Sequence, residues 1–301
     1  MTIARALALL AVLLSGPVSC RETPEAKAAQ VQALRLARQQ ALARRIAMAD
    51  SNQTTATPLA IWVVAPELRE ISGLTLLPDG TVLAHDDELA KIYQIDPKAG
   101  IVLKQFSLDG APHGDFEAIT TAGTDIYLLQ SNGNLWKFKD GADGAVVPYT
   151  KYNTRLGHEC EFEALAYEAD SSRLLLPCKK VGSKSLRDDL VIYRLPLPIS
   201  DSSPMNMLAI PLAEVIGTNQ WKKFEPSDMA IDPSTGNYVV IASLQKGLAV
   251  ITPGGDVVRS EPLPGNHHQA EGVAVTKDSL LIISDEATSK PAAITVYRWR
   301  P

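Results

Sequence analysis

Three observations predict an all-β fold, a five-bladed β-propeller: five copies of one short pattern, a train of short strands and turns after each copy, and no sustained helical periodicity beyond residue 58. The copies are Ile71-Ser72-Gly73-Leu74-Thr75, Phe116-Glu117-Ala118-Ile119-Thr120, Phe162-Glu163-Ala164-Leu165-Ala166, Pro226-Ser227-Asp228-Met229-Ala230 and Ala270-Glu271-Gly272-Val273-Ala274. They recur at a spacing in the mid-forties, with one longer step between the third and fourth. Strand-like repeats at that period are the signature of propeller blades.

Composition agrees with a single large core. The 301 residues are 46% hydrophobic and 21% charged. Net charge is -5 and the sequence pI about 5.6, so the basic footprint of a nucleic-acid binder is absent.

The N-terminus reads as an export segment. Arg5 is the charged start, Ala6 to Leu14 the apolar run and Ser15 to Cys20 the exit. The run is shorter than the roughly 20 apolar residues of a membrane span. Val18-Ser19-Cys20 resembles a bacterial lipobox with Cys20 as the lipidated residue, although Pro17 stands where Leu is usual. Arg21 favours the periplasmic face of the outer membrane over inner-membrane retention. The expected organisation is a signal peptide over 1–19, a lipidated cysteine with a helical spacer and linker over 20–58, and the propeller over 59–301.

Glu22 to Asp50, rich in Ala, Gln, Leu and Arg, predicts a helix. Val31, Leu34, Leu42 and Ile46 share one side, but Arg38 and Arg45 interrupt it, which points to a spacer rather than a core helix. Ile61-Trp62-Val63-Val64 is a strand with no hairpin partner beside it. It is expected to complete the blade that begins at Glu271, since closing the ring removes an open sheet edge.

The blades follow in order. In blade one, Pro78-Asp79-Gly80 separates two apolar runs, a strong hairpin signal. Blade two runs through Asp125–Leu129 and Asn134–Phe138. Blade three holds Cys160 and Cys178, placed nearly opposite each other by a turn at Ala169–Ser172. An even cysteine count in an exported chain predicts that they form a disulfide. The stretch from Pro211 to Glu225 accounts for the longer step. Blades four and five contain Tyr238–Ile241, Gly247–Ile251, Leu280–Ser284 and Ala293–Trp299.

Residues at equivalent positions of the inner strands form a ring around the channel, so Glu117, Glu163 and Glu271 are expected to converge. Like charges held together repel and lose solvation, and a hard divalent cation with oxygen ligands would relieve them. Calcium suits that set, with Ser72, Ser227, carbonyls and water as further ligands. A second group of acids, Asp86 and Asp87 in blade one and Asp285 in blade five, closes the second strands on the same face. Lys179 or Lys180 is placed to balance Glu163. All five histidines fall on this face, and His113, His267 and His268, just before the glutamates, are the candidates for a general base. No Gly-x-Ser-x-Gly, His-Glu-x-x-His or phosphate-binding glycine loop is present.

On Ile71-Ser72-Gly73-Leu74, Asp115-Phe116-Glu117-Ala118-Ile119, Phe162-Glu163-Ala164-Leu165-Ala166-Tyr167, Gln269-Ala270-Glu271-Gly272-Val273-Ala274 and Ile282-Ile283-Ser284-Asp285, the chain resembles the SdiA-regulated, YjiK-like family of exported bacterial propellers, relatives of NHL-repeat proteins. The resemblance spans about residues 66–300. It implies five blades, a calcium site and no established enzymatic activity. The sequence departs from it at Gln130-Ser131 and Cys178-Lys179, where family members often carry an acid. The expected function is an exported, monomeric, calcium-binding module of the cell envelope, joined to the membrane by its lipid, with an envelope ligand or protein as partner. The alternative, suggested by the likeness of the Glu-Gly start to calcium-dependent lactonases, is a calcium-dependent hydrolase acting on a lactone or phosphoester.

Overall fold

Five sheets, each with a core of antiparallel strands, are arranged around one axis. The computed structural model describes residues 23–52, 56–200 and 205–301. The signal segment and Cys20 lie outside the described residues. Blade one comprises Ile71–Leu76, Val82–Asp86, Lys91–Asp96 and Ile101–Leu108, with Val146–Val147 added parallel to its outer strand. Blade two comprises Phe116–Ala122, Asp125–Gln130, Asn134–Lys139 and Tyr149–Asn153. Blade three has an inner strand in two pieces, Cys160–Phe162 and Ala166–Glu168, then Arg173–Val181, Asp189–Pro196 and Asn206–Pro211. Blade four is Asp228–Ile231, Tyr238–Ala242, Gly247–Ile251 and Val257–Pro262.

Blade five takes three strands from the end of the chain, Ala270–Val275, Leu280–Asp285 and Ala293–Arg298, and its outer strand, Ala60–Val63, from the start. Ala60 pairs with Val296 and Val63 with Ala293, which closes the ring as the sequence predicts.

The alternation of each strand puts apolar side chains on both blade faces, and packing between blades buries them. One apolar core fills each of the five gaps between neighbours. In the closing gap, Ile71, Leu74 and Tyr93 of blade one meet Ala274, Ile282 and Ile294 of blade five. A core in every gap is what a closed ring requires. The Asp79-Gly80 turn forms as expected, with Gly80 at φ 83° and its amide donating to Leu77 at 3.0 Å. Cys160 and Cys178 are disulfide-bonded, with Cα atoms 5.6 Å apart on adjacent strands of blade three.

The helix, Pro24–Asn52, departs from the spacer expectation. Its C-terminal half lies against the propeller. Leu42 and Ala49 are buried, and Leu42, Ile46 and Ala49 pack on Leu59, Leu280 and Val296. Arg38 and Arg45, which interrupt the apolar stripe, belong to the contact, as does Arg35. Arg35 pairs with Asp96 at 2.6 Å, Arg38 donates to the Ala99 carbonyl at 2.7 Å and stacks on Trp62, and Arg45 donates to the Leu59 carbonyl at 2.8 Å. Asp50 accepts from Arg298 at 2.6 Å. These groups belong to blades five and one, at strand ends remote from Glu271. The helix thus straps the closing seam on the face opposite the acids, while residues 24–34 stay exposed.

Candidate functional site

In blades one, two, three and five the repeated pattern marks a break in the ladder near the start of the inner strand, whereas in blade four Asp228 to Ile231 pair with Ile241 to Tyr238 without a shift. Pairing in blade two skips from Phe116 to Ala118, and in blade five from Ala270 to Gly272, so Glu117 and Glu271 are the extra residues of β-bulges. In blade one the bulge falls at Gly73, and in blade three the strand is interrupted across Glu163–Leu165. A bulge re-aims a side chain, and these lie where the strands meet the channel.

The two serines of the pattern are occupied elsewhere. Ser72 Oγ donates to the Glu117 carbonyl at 3.3 Å, and Ser227 Oγ to the Ala270 carbonyl at 2.7 Å, so each stitches its blade to the next. Neither hydroxyl is arranged as a free ligand of the ring.

Lys179 places its ammonium against Glu163, and both side chains are largely buried. Its charge also attracts Glu117 and Glu271. Strand alternation explains why it is Lys179, since Lys180 points outward and pairs with Glu161 at 2.8 Å. Burial, with the charge of Asp115 and a hydrogen bond to it, pushes Glu117 up to about 8. Burial pushes Glu271 up to about 7, against the pull of Lys179 and hydrogen bonds from Ser243 and Gln269.

Nearer the rim, Glu70, Asp87 and Glu286 each offer a carboxylate oxygen, all within 4.8 Å of one another. Glu70 precedes the inner strand of blade one, Asp87 follows the second strand of that blade, and Glu286 follows the second strand of blade five. Burial and the charges of Glu70, Asp86 and Glu88 raise Asp87 to about 6. Burial, a hydrogen bond to Glu70 and the charge of Asp87 raise Glu286. Arg69 lies 3.0 Å from Glu70 on the exposed side. Among the described residues no ion pair reaches Asp87 or Glu286, and Asp87 Oδ1 is buried without a partner. This donor set fits a hard cation that accepts oxygen ligands in loose geometry.

Of the other expected residues, Asp86, Asp285 and His267 serve the scaffold. Asp86 Oδ1 accepts the amides of Glu88 and Leu89 at 3.1 and 2.8 Å, turning the chain after the strand. Asp285 accepts from His267 Nδ1 at 2.6 Å and from the amides of His268 and Gln269 at 2.9 and 3.1 Å. Burial alone would raise Asp285, but His267 and these amides hold it below the usual carboxylate range. His267 is 3% exposed, and its Nε2 faces the Tyr297 hydroxyl at 2.9 Å. Both its nitrogens are therefore engaged. His268 lies beside Asp285, while His113 is exposed and bridges to Leu89 through its backbone. His85 is fully buried and burial drives it down to about 4, so it is neutral. His158 is exposed beside Glu159.

Two positions of note escape the sequence reading. Glu70 lies outside the repeated pattern. Asp228 is inside the pattern but one residue past the glutamate position. It is fully buried, and its Oδ2 accepts the amides of Val273 at 2.7 Å and Leu74 at 3.1 Å. Burial raises it well above the usual range despite these donors.

The arrangement defines a five-bladed β-propeller with an acid-lined channel mouth. No known family model matches the chain, and no curated protein matches its sequence. Solved structures do match in shape. The PQQ-bound aldose sugar dehydrogenase of Streptomyces coelicolor is 14% identical, with a TM-score of 0.52 over 79% of this chain and 98% of that one. The glutaminyl cyclase of Myxococcus xanthus is 12% identical, with a TM-score of 0.53 over 81% and 97%. A luciferin-regenerating enzyme is 10% identical, with a TM-score of 0.50 over 81% and 98%. Likeness at this identity establishes the propeller fold alone.

Proposed function

We propose that this protein is an exported cell-envelope propeller that binds calcium at the channel mouth, between blades five and one, and uses that mouth as a binding module. One observation carries the reading: Glu70, Asp87 and Glu286 converge within 4.8 Å, and burial with mutual repulsion raises both Asp87 and Glu286. Arg69 pairs with Glu70 alone, so holding Asp87 and Glu286 beside it still costs stability, and a divalent cation offsets it. Calcium takes roughly 6–8 oxygens at flexible geometry, so carbonyls and water complete the shell. The sequence resemblance to SdiA-regulated propellers and the lipobox-like Val18-Ser19-Cys20 support the envelope assignment. A lipid on Cys20 would tether the exposed end of the helix.

The binding reading is better supported than the hydrolase. His267 has both ring nitrogens engaged by Asp285 and Tyr297, which removes it as a general base. Metal analysis of the purified protein and calorimetric titration test the proposal. One calcium per chain is expected, with loss of binding in Asp87→Asn and Glu286→Gln. Wild-type protein that gives no heat and no rise in Tm with calcium would refute it.

A further inference from the structure

We infer that Lys179 is the resident cation of the channel ring and excludes divalent metal from Glu117, Glu163 and Glu271. Those three glutamates stand at equivalent positions of three blades, two of them on bulges that turn them to the channel. Repulsion among three acids calls for a positive charge. The chain supplies one: the Lys179 ammonium is bonded to Glu163 and attracts Glu117 and Glu271. Its side chain is 19% exposed and that of Glu163 11%, so the pair is shielded from water and salt.

An ammonium carries three donors and one compact charge, enough to satisfy carboxylates on more than one side. A divalent ion entering the same space would meet that charge at short range, where repulsion in a partly dry site is strong. Lys179 therefore sets the protein's metal stoichiometry by confining divalent ions to Glu70, Asp87 and Glu286. Only the expected wild-type count rests on the proposed rim site; the closed ring does not.

Calcium titration of the full-length protein, with stoichiometry and Tm as readouts, tests the inference in Lys179→Met, Lys179→Arg, Glu163→Gln and Glu286→Gln. Lys179→Met keeps the stem and removes the charge. It is expected to melt lower than wild type without calcium, to recover with it, and to bind one more calcium per chain. That extra site should persist when Glu286→Gln is added. Lys179→Arg and Glu163→Gln should keep the wild-type count. A Lys179→Met protein that binds no additional calcium overturns the inference. So does a wild-type count reduced by Glu163→Gln, which is informative even if Lys179→Met fails to fold. Wild type binding none while Lys179→Met binds one would refute the rim site and leave the inference standing.

Discussion

Asp228 and Leu74 belong to different blades, 154 residues apart, and the carboxylate of the first accepts the amide hydrogen of the second at 3.1 Å. The same oxygen holds Val273 at 2.7 Å, so one side chain of blade four ties down the inner strands of blades five and one. Asp228→Ala would leave two buried amides unpaired, each costing about 1–3 kcal/mol. Asp228→Asn keeps an acceptor oxygen without the buried charge, and its stability should stay within about 1 kcal/mol of wild type. Urea unfolding of both variants separates a hydrogen-bonding role from a charge role.

Gln269 donates its side-chain amide to Glu286 and also hydrogen-bonds Glu271. It spans the ring and the rim and orients carboxylates without being a metal ligand. Loss of such an orienting partner typically weakens metal affinity by about 10–100-fold. Gln269→Ala should raise the calcium Kd by about tenfold at unchanged stoichiometry, as read by calorimetry.

Glu168 supplies a pH dependence away from the site. Burial would raise it, but hydrogen bonds from the Tyr238 hydroxyl, Arg173 and Ser171 outweigh burial and lower it below its ordinary 4.5. A depressed folded value means that the unfolded chain binds the proton first. The stabilisation is therefore fully present above pH ~4.5 and lost as the pH falls through the folded value. Glu168→Gln should be less stable than wild type at pH 7, and the difference should shrink on acidification below pH ~4.5. Denaturant titrations across that range give the comparison.

The strap helix should contribute measurably to stability. Leu42 is 1% exposed between the helix and Leu59, Leu280 and Val296. Leu42→Ala should cost roughly 2–5 kcal/mol. Leu36→Ala, at a position 53% exposed, should change stability by less than about 0.5 kcal/mol. Thermal melts of the two variants check whether the helix is docked in solution.

Much of this architecture could be read from the chain because the repeated pattern has one physical cause. A ladder break recurs at four of the five inner strands, and the residues that suit it recur with it. Ring closure was legible too, since Ile61-Trp62-Val63 had strand character and no local partner. Of the candidate site, Asp87 was legible as a residue and the rest only by region. Glu286 rather than Asp285 joins the rim acids, because Asp285 turns to the 267–269 loop, a contact that no pattern along the strand discloses. The imidazole of His267 goes to Tyr297, 30 residues later. Glu70 was missed because it belongs to the connection after the single helical turn Pro66–Leu68. The helix reads as a spacer from its sequence because Arg38 and Arg45 face inward to carbonyls, so a stripe counted only in apolar residues looks broken.

The pairing of Ala60–Val63 with Ala293–Arg298 also bears on how the ring assembles. The first strand to be made must wait for almost the last, so the highest-separation ladder forms late and slows folding. Until then blade five has an unfilled edge, and the equivalent strand of a second copy fits it equally well. A reciprocal exchange of these four residues would give a domain-swapped dimer with every native contact retained. The strap works against that outcome. By anchoring residues 35–50 beside the seam, it raises the effective concentration of the chain's own strand over any rival's.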